Sequence, residues 1–77
     1  MKYHSHRRIG QLRFNHNILM PDILFPNNTA YGGLHEGTSF EVYNGKVWVP
    51  TRLMSDGWNM FLQGVCNYIP YGSYVRI

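Results

Sequence analysis

The chain predicts an all-β domain, specifically a small SH3-like or closed β-barrel of five to six short strands. Three observations carry this. Asn44-Gly45 stands between two alternating runs, among the strongest short-range hairpin signals a sequence holds. Short apolar runs recur along the chain between clusters of Gly, Pro, Asn and Asp. No segment sustains a helical period.

Ile9 to Phe14 reads as a first strand, with Gly10 and Gln11 too polar for a fully buried position. Ile18 to Phe25 is a second apolar segment, broken at Pro21-Asp22, which marks an edge strand or a kink. Pro26 to Gly33, PNNTAYGG, is a loop by composition. Strands three and four form the hairpin. Ser55-Asp56-Gly57 is a turn, and Trp58 to Gln63 follows as a fifth strand with Trp58, Met60 and Leu62 on one face. Cys66 to Ser73 is interrupted by Pro70 and Gly72, with a single helical turn around Asn67 to Tyr71 left open. Tyr74 to Ile77 is a last strand that closes the sheet.

The hairpin decides which side chains share a face. A two-residue type I′ turn on Asn44-Gly45 sets Tyr43 opposite Lys46, Val42 opposite Val47, Glu41 opposite Trp48 and Phe40 opposite Val49. Alternation then puts Phe40, Val42, Val47, Val49 and Leu53 on a core side. The other side carries Glu41, Tyr43, Lys46, Trp48, Pro50 and Arg52. Aromatic rings beside a guanidinium can stack on a base and pair with an anion. The competing interpretation is a minor core under a loop, with Glu41 and Lys46 as an ordinary surface pair. Pro50 cannot donate to a ladder, so it belongs on an edge or at a bulge, where a second copy could also dock.

At 77 residues the chain is one domain with a thin core, partly offset by four Phe, six Tyr and two Trp. Small domains without staples gain burial by oligomerising, so a homo-oligomer is expected. No run of 18 apolar residues predicts a membrane span. The polar N-terminus and the lone Cys66 predict a cytoplasmic protein without a disulfide. Charge is uneven: Lys2, Arg7, Arg8 and Arg13 precede the first acid, Asp22. Residues 1–8 read as a basic arm, its order left open, and 9–77 as a single β domain. The arm could neutralise phosphates, although short basic termini are more often simply solvated.

Catalytic groups are sparse. The four carboxylates are scattered, and His35 near Glu36 and Glu41 is the one acid–base grouping the sequence offers. His4-x-His6 is too few ligands for a structural metal site, so neither metal nor cofactor is expected. The loop Tyr31-Gly32-Gly33-Leu34-His35-Glu36-Gly37 lacks the Lys-Ser/Thr ending of a P-loop. Its consecutive amides could still form an anion-binding nest, or its glycines could simply turn the chain.

The run YGGLHEGTSFEVYNGKVWVPTRL, a Trp58-containing strand and the ending YVRI together resemble the family called domain of unknown function 5348, very small proteins of Gram-positive bacteria, phages and conjugative elements. The likeness rests on Gly33, Leu34, His35, Phe40, Glu41, Val42, Gly45, Trp48, Pro50, Thr51 and Arg52, over about residues 31–77, with Gly10 the one match earlier. Two departures stand out. Glu36 occupies a position where many members have cysteine, so a thiol or metal role does not carry over. An extra residue also separates Gly45 from Trp48. The resemblance implies no particular activity; a mobile-element origin would fit counter-defence or element maintenance.

The expected function is a non-catalytic binding protein that binds or sequesters a small anionic, nucleotide-type ligand. Trp48 and Tyr43 would stack on the base, while Arg52 and the loop of Tyr31, Gly32, Gly33 and His35 would engage phosphate. Two alternatives use the same residues. One is a module or inhibitor that binds a host protein through an aromatic–arginine hot spot. The other is a single-stranded nucleic-acid binder that adds Lys2, Arg7, Arg8 and Arg13.

Overall fold

The computed structural model describes residues 7–77; the expectations placed on Lys2, His4 and His6 lie outside them. Six strands follow in chain order: β1 (Ile9–Asn15), β2 (Met20–Leu24), β3 (Ser39–Tyr43), β4 (Trp48–Ser55), β5 (Met60–Leu62) and β6 (Tyr74–Arg76). Among the described residues there is no helix, at Asn67 to Tyr71 or elsewhere. The strands form one sheet in the order β2-β1-β6-β3-β4-β5, every pairing antiparallel.

Two expectations about closure are corrected. The sheet is open: β2 and β5 are its ends, and no pairing joins them, so the closed barrel does not form. β5 is only three residues long, and β2 spends its outer edge on a loop. The last strand does not sit at the end of the sheet either. β6 lies between β1 and β3 and pairs with both, so the first and last described residues come together in the middle; Arg8 and Ile77 exchange both backbone hydrogen bonds (2.8 and 3.0 Å). Arg8, assigned to the arm, is thus already tied to the sheet.

One apolar cluster fills the concave side. Every strand contributes, through Leu12, Ile23, Phe40, Val42, Leu53, Leu62 and Val75, and two loop residues, Phe25 and Leu34, complete it. Side chains alternate along each strand, so this single face consumes the apolar set. Gly10 belongs to it as well. The expectation that Gly10 is too polar to be buried is wrong, because β2 crosses so close that a Cβ there would lie 2.5 Å from Ile23 Cγ2.

The hairpin register differs from the expected one by two residues. Tyr43 faces Trp48, Val42 faces Val49, Glu41 faces Pro50, Phe40 faces Thr51 and Ser39 faces Arg52. The turn is centred one residue later, because Asn44 does not adopt the positive φ that type I′ demands of it; only Gly45 does (φ 99°). Instead the Asn44 side-chain oxygen accepts the amides of Lys46 and Val47, both at 2.9 Å. A two-residue shift preserves parity, so the two faces stand as expected. Val47 and Lys46 leave them and enter the exposed turn. Pro50 sits where an edge was expected. β5 pairs only with Leu53–Ser55, so the first half of β4 has no outer neighbour and the missing donor of Pro50 interrupts nothing.

Trp58 departs from expectation most clearly. The fifth strand begins only at Met60, and Trp58, in the turn before it, is 93% exposed. Asp56 makes that turn by accepting the amides of Trp58 and Asn59, which leaves the indole outside the strand.

Candidate functional site

The convex face of the sheet gathers the outward residues of β1, β6, β3 and β4. Register places Gln11 beside Tyr74, Arg76 beside Glu41, Glu41 beside Pro50, and Tyr43 beside Trp48. One more step along the β3–β6 register sets Tyr74 next to Tyr43. A row of three aromatics, Tyr74, Tyr43 and Trp48, therefore crosses three adjacent strands. The Tyr43 and Trp48 rings lie 5.2 Å apart at 49°. Tyr74 and Tyr43 are exposed, while Trp48 is half-buried, so the row opens to solvent mainly at the two tyrosines.

Alongside it runs a charged row. Glu41 Oε1 accepts from Arg76 Nε at 2.5 Å and from Arg7 Nη1. The Arg76 guanidinium carbon also stands 4.5 Å from the centre of the Trp48 ring, a cation–π distance. The Arg76 hydrogen bond, helped by Arg7, holds the Glu41 carboxyl below the usual carboxylate range against the opposing effect of burial. Arg7, Ser39, Phe40, Glu41, Arg76 and Ile77 line a shallow groove of about 280 Å³ there. Arg52 continues this side of the face, its Nε 3.4 Å from Ser39 Oγ. Arg13 lies toward β1, bonded to Gln11, which itself donates to the Gly72 carbonyl.

The residues expected in the site thus divide. Tyr43, Trp48 and Arg52 share the convex face. Tyr31, Gly32, Gly33 and His35 belong to a loop that runs along the outer edge of β2: Tyr31 N–H donates to Ile23 O and Leu34 N–H to Pro21 O. The nest expected to take a phosphate is already filled. Asp22 is 2% exposed, and its Oδ1 accepts the amides of Ile23, Gly32 and Gly33 at 2.8–3.0 Å. Its Oδ2 accepts from Asn15 at 2.8 Å. Burial pushes the Asp22 pKa up, but these hydrogen bonds outweigh it, and the carboxyl lies below its ordinary value. His35 is exposed on the same loop, and the Glu41 carboxylate is engaged by Arg7 and Arg76, not by His35. Arg8 is turned away from a ligand role, its guanidinium 3.7 Å over the Phe25 ring.

Sequence reasoning missed Arg76, Tyr74 and the use of Arg7. The alternation of YVRI puts Tyr74 and Arg76 on one face, but nothing local says that β6 lies against β3. Among the described residues no group of three or more His, Cys, Asp or Glu could hold a metal ion, and no helix is long and apolar enough to cross a membrane.

Residues 10–77 match the family described as Domain of unknown function (DUF5348). The chain belongs to the DUF5348 family. The match reaches back through β1, beyond the stretch from residue 31 on which the likeness is legible by eye. Among solved structures, the DUF5348 chain is similar to a crystal structure of a protein from Ruminococcus gnavus, a structural genomics target. That chain is 36% identical with a TM-score of 0.80, and the match covers 91% of this chain and 100% of that one. Comparison with curated proteins gives no match. The residues that carry the family likeness separate by face. Gly33, Leu34, Phe40, Val42 and Thr51 are buried, whereas Trp48, Pro50 and Arg52 point outward with Glu41.

Proposed function

We propose that this protein is a non-catalytic binding protein whose convex face holds a small anionic, nucleotide-type ligand. The observation that supports it is the Arg76 guanidinium, which lies over the Trp48 ring and on the Glu41 carboxylate at once. The Glu41 carboxylate marks where an anion is stabilised by two guanidiniums, and a phosphate, with more charge and more acceptor atoms, can compete for them. Trp48 and Tyr43 supply stacking surface beside that position. Glu41 serves here as a fixed negative charge, since its two arginines favour the ionised form and oppose proton donation. Sequestration of such a ligand by a phage or mobile element, as counter-defence, is the biological role we attach to this reading.

A native mass spectrum of the purified protein, repeated after adding a nucleotide extract, tests it. Extra mass in the nucleotide range is expected, carried by a homo-oligomer. Trp48→Ala and Arg52→Ala should each weaken binding about tenfold or more, from the loss of one stacked ring or one charged contact. Unchanged affinity in both variants would remove this face from consideration.

Trp58 favours a second reading, an interaction module for a host protein. A tryptophan 93% exposed at the tip of the β4–β5 turn is the residue type most enriched at interface hot spots. A spectrum that shows no bound nucleotide moves the assignment to that reading.

A further inference from the structure

We infer that the ligand of the convex face is a single-stranded nucleic acid laid across β6, β3 and β4, with successive bases on Tyr74, Tyr43 and Trp48. This rests on the stacking face of the nucleotide reading above and replaces its small ligand with a polynucleotide. The first argument is shape. Sites that enclose a small ligand measure about 300–1,000 Å³ and bury most of it. The groove beside Glu41 holds about 280 Å³ and is shallow, so a free mononucleotide would stay largely in water. A strand that collects several shallow contacts does not need enclosure.

The second argument is repetition. Neighbouring strands in a sheet stand about 4.8 Å apart, and the Tyr43–Trp48 ring separation of 5.2 Å follows that spacing. Three aromatic residues in one register row offer stacking surface on three adjacent strands, and ring stacking tolerates any sequence because every base has a π-face. The third argument is charge. Arg7, Arg13, Arg52 and Arg76 border the row against one acid there, the half-buried Glu41, which pairs with Arg7 and Arg76. Asp22, the other acid near β1, is buried and spent on backbone amides. That balance suits a polyanion whose phosphates run beside the aromatic row.

Fluorescence anisotropy of labelled dT12 and rU12, competed with unlabelled dTMP or UMP and with duplex DNA of the same length, decides it. The 12-mers should bind about thirtyfold or more tightly than the mononucleotides, because two further stacks are added. A plot of log K against log salt should slope at about −2 to −3, for three or four phosphates neutralised on a single strand. Tyr74→Ala should weaken 12-mer binding about tenfold with mononucleotide binding unchanged, and Tyr74→Phe should restore it. If the 12-mer binds no better than the mononucleotide, the site takes one base and this inference fails, while the nucleotide reading stands. Equal binding of duplex and single strand, or indifference to Tyr74→Ala, would reduce the face to a charge patch and also overturn it. Binding of neither oligomer nor mononucleotide would overturn the nucleotide reading and this inference with it.

Discussion

At the scale of single residues, Asp22 shows how far a structural role can hide in a sequence. A carboxylate in an apolar run beside a proline signals a break, and nothing near it reveals three backbone amides and Asn15 as its partners. One amide is that of the next residue, Ile23; the other two come from a loop ten residues on, and Asn15 comes from β1. Asp22→Asn would set an NH2 group against the Asn15 donor, and Asn15 cannot simply turn over, since its own oxygen accepts the Asn17 amide. The expected loss is about 1–3 kcal/mol, a fall in Tm of roughly 5–20 °C for a chain of this size, read by thermal unfolding. The pH dependence has a definite sign. The folded pKa lies below the ordinary 3.8, so the stabilisation is complete above that value and is lost as pH falls through the lower, folded one. Wild type should lose more stability than Asp22→Asn in that acid window; equal losses would show that the carboxylate is not the group responsible. Tyr43, Trp48 and Arg52, by contrast, were legible, because strand alternation alone fixes their shared face.

At the scale of elements, existence was easier to read than pairing. β1, β3, β4 and β6 fall where alternation and turn residues put them, and the two-residue shift in hairpin register takes only Lys46 and Val47 out of their expected faces. That shift arises from Asn44, which can sit inside a turn or cap one with its side chain. The sequence overextends the fifth strand, because Trp58 fits a strand by type while the Asp56 carboxylate holds the turn open for two more residues. Gly10 illustrates a different blind spot: a glycine in a strand looks like a weakness, yet here it admits β2. Gly10→Ala should place a methyl 2.5 Å from Ile23 Cγ2 and 2.8 Å from the Leu24 carbonyl. A destabilisation of about 1–3 kcal/mol follows from that overpacking, measurable as a lower urea midpoint. An unchanged midpoint would mean that β2 is free to shift, contrary to its hydrogen bonds with both β1 and the loop.

At the scale of the whole molecule, the all-β class and single core were legible, whereas the place of β6 was not, since it depends on contacts between the two ends of the chain. That placement makes the domain indivisible. All six strands donate to one cluster, so no element can detach without exposing the rest. Trp fluorescence and far-UV circular dichroism should therefore report coincident unfolding transitions; separated midpoints would show that part of the sheet melts alone. The outer margins of the sheet carry a final implication. Along β2, the loop from Thr29 to Leu34 takes the outward carbonyls of Pro21 and Ile23. At the far end, Leu62 gives both its backbone groups to the turn at Val65 and Cys66, Arg52 is claimed by Gln63, and Pro50 has no donor to offer. Among the described residues, an incoming β-strand thus meets few free backbone groups along these two margins. Those margins therefore offer little template on which copies could grow into a fibre.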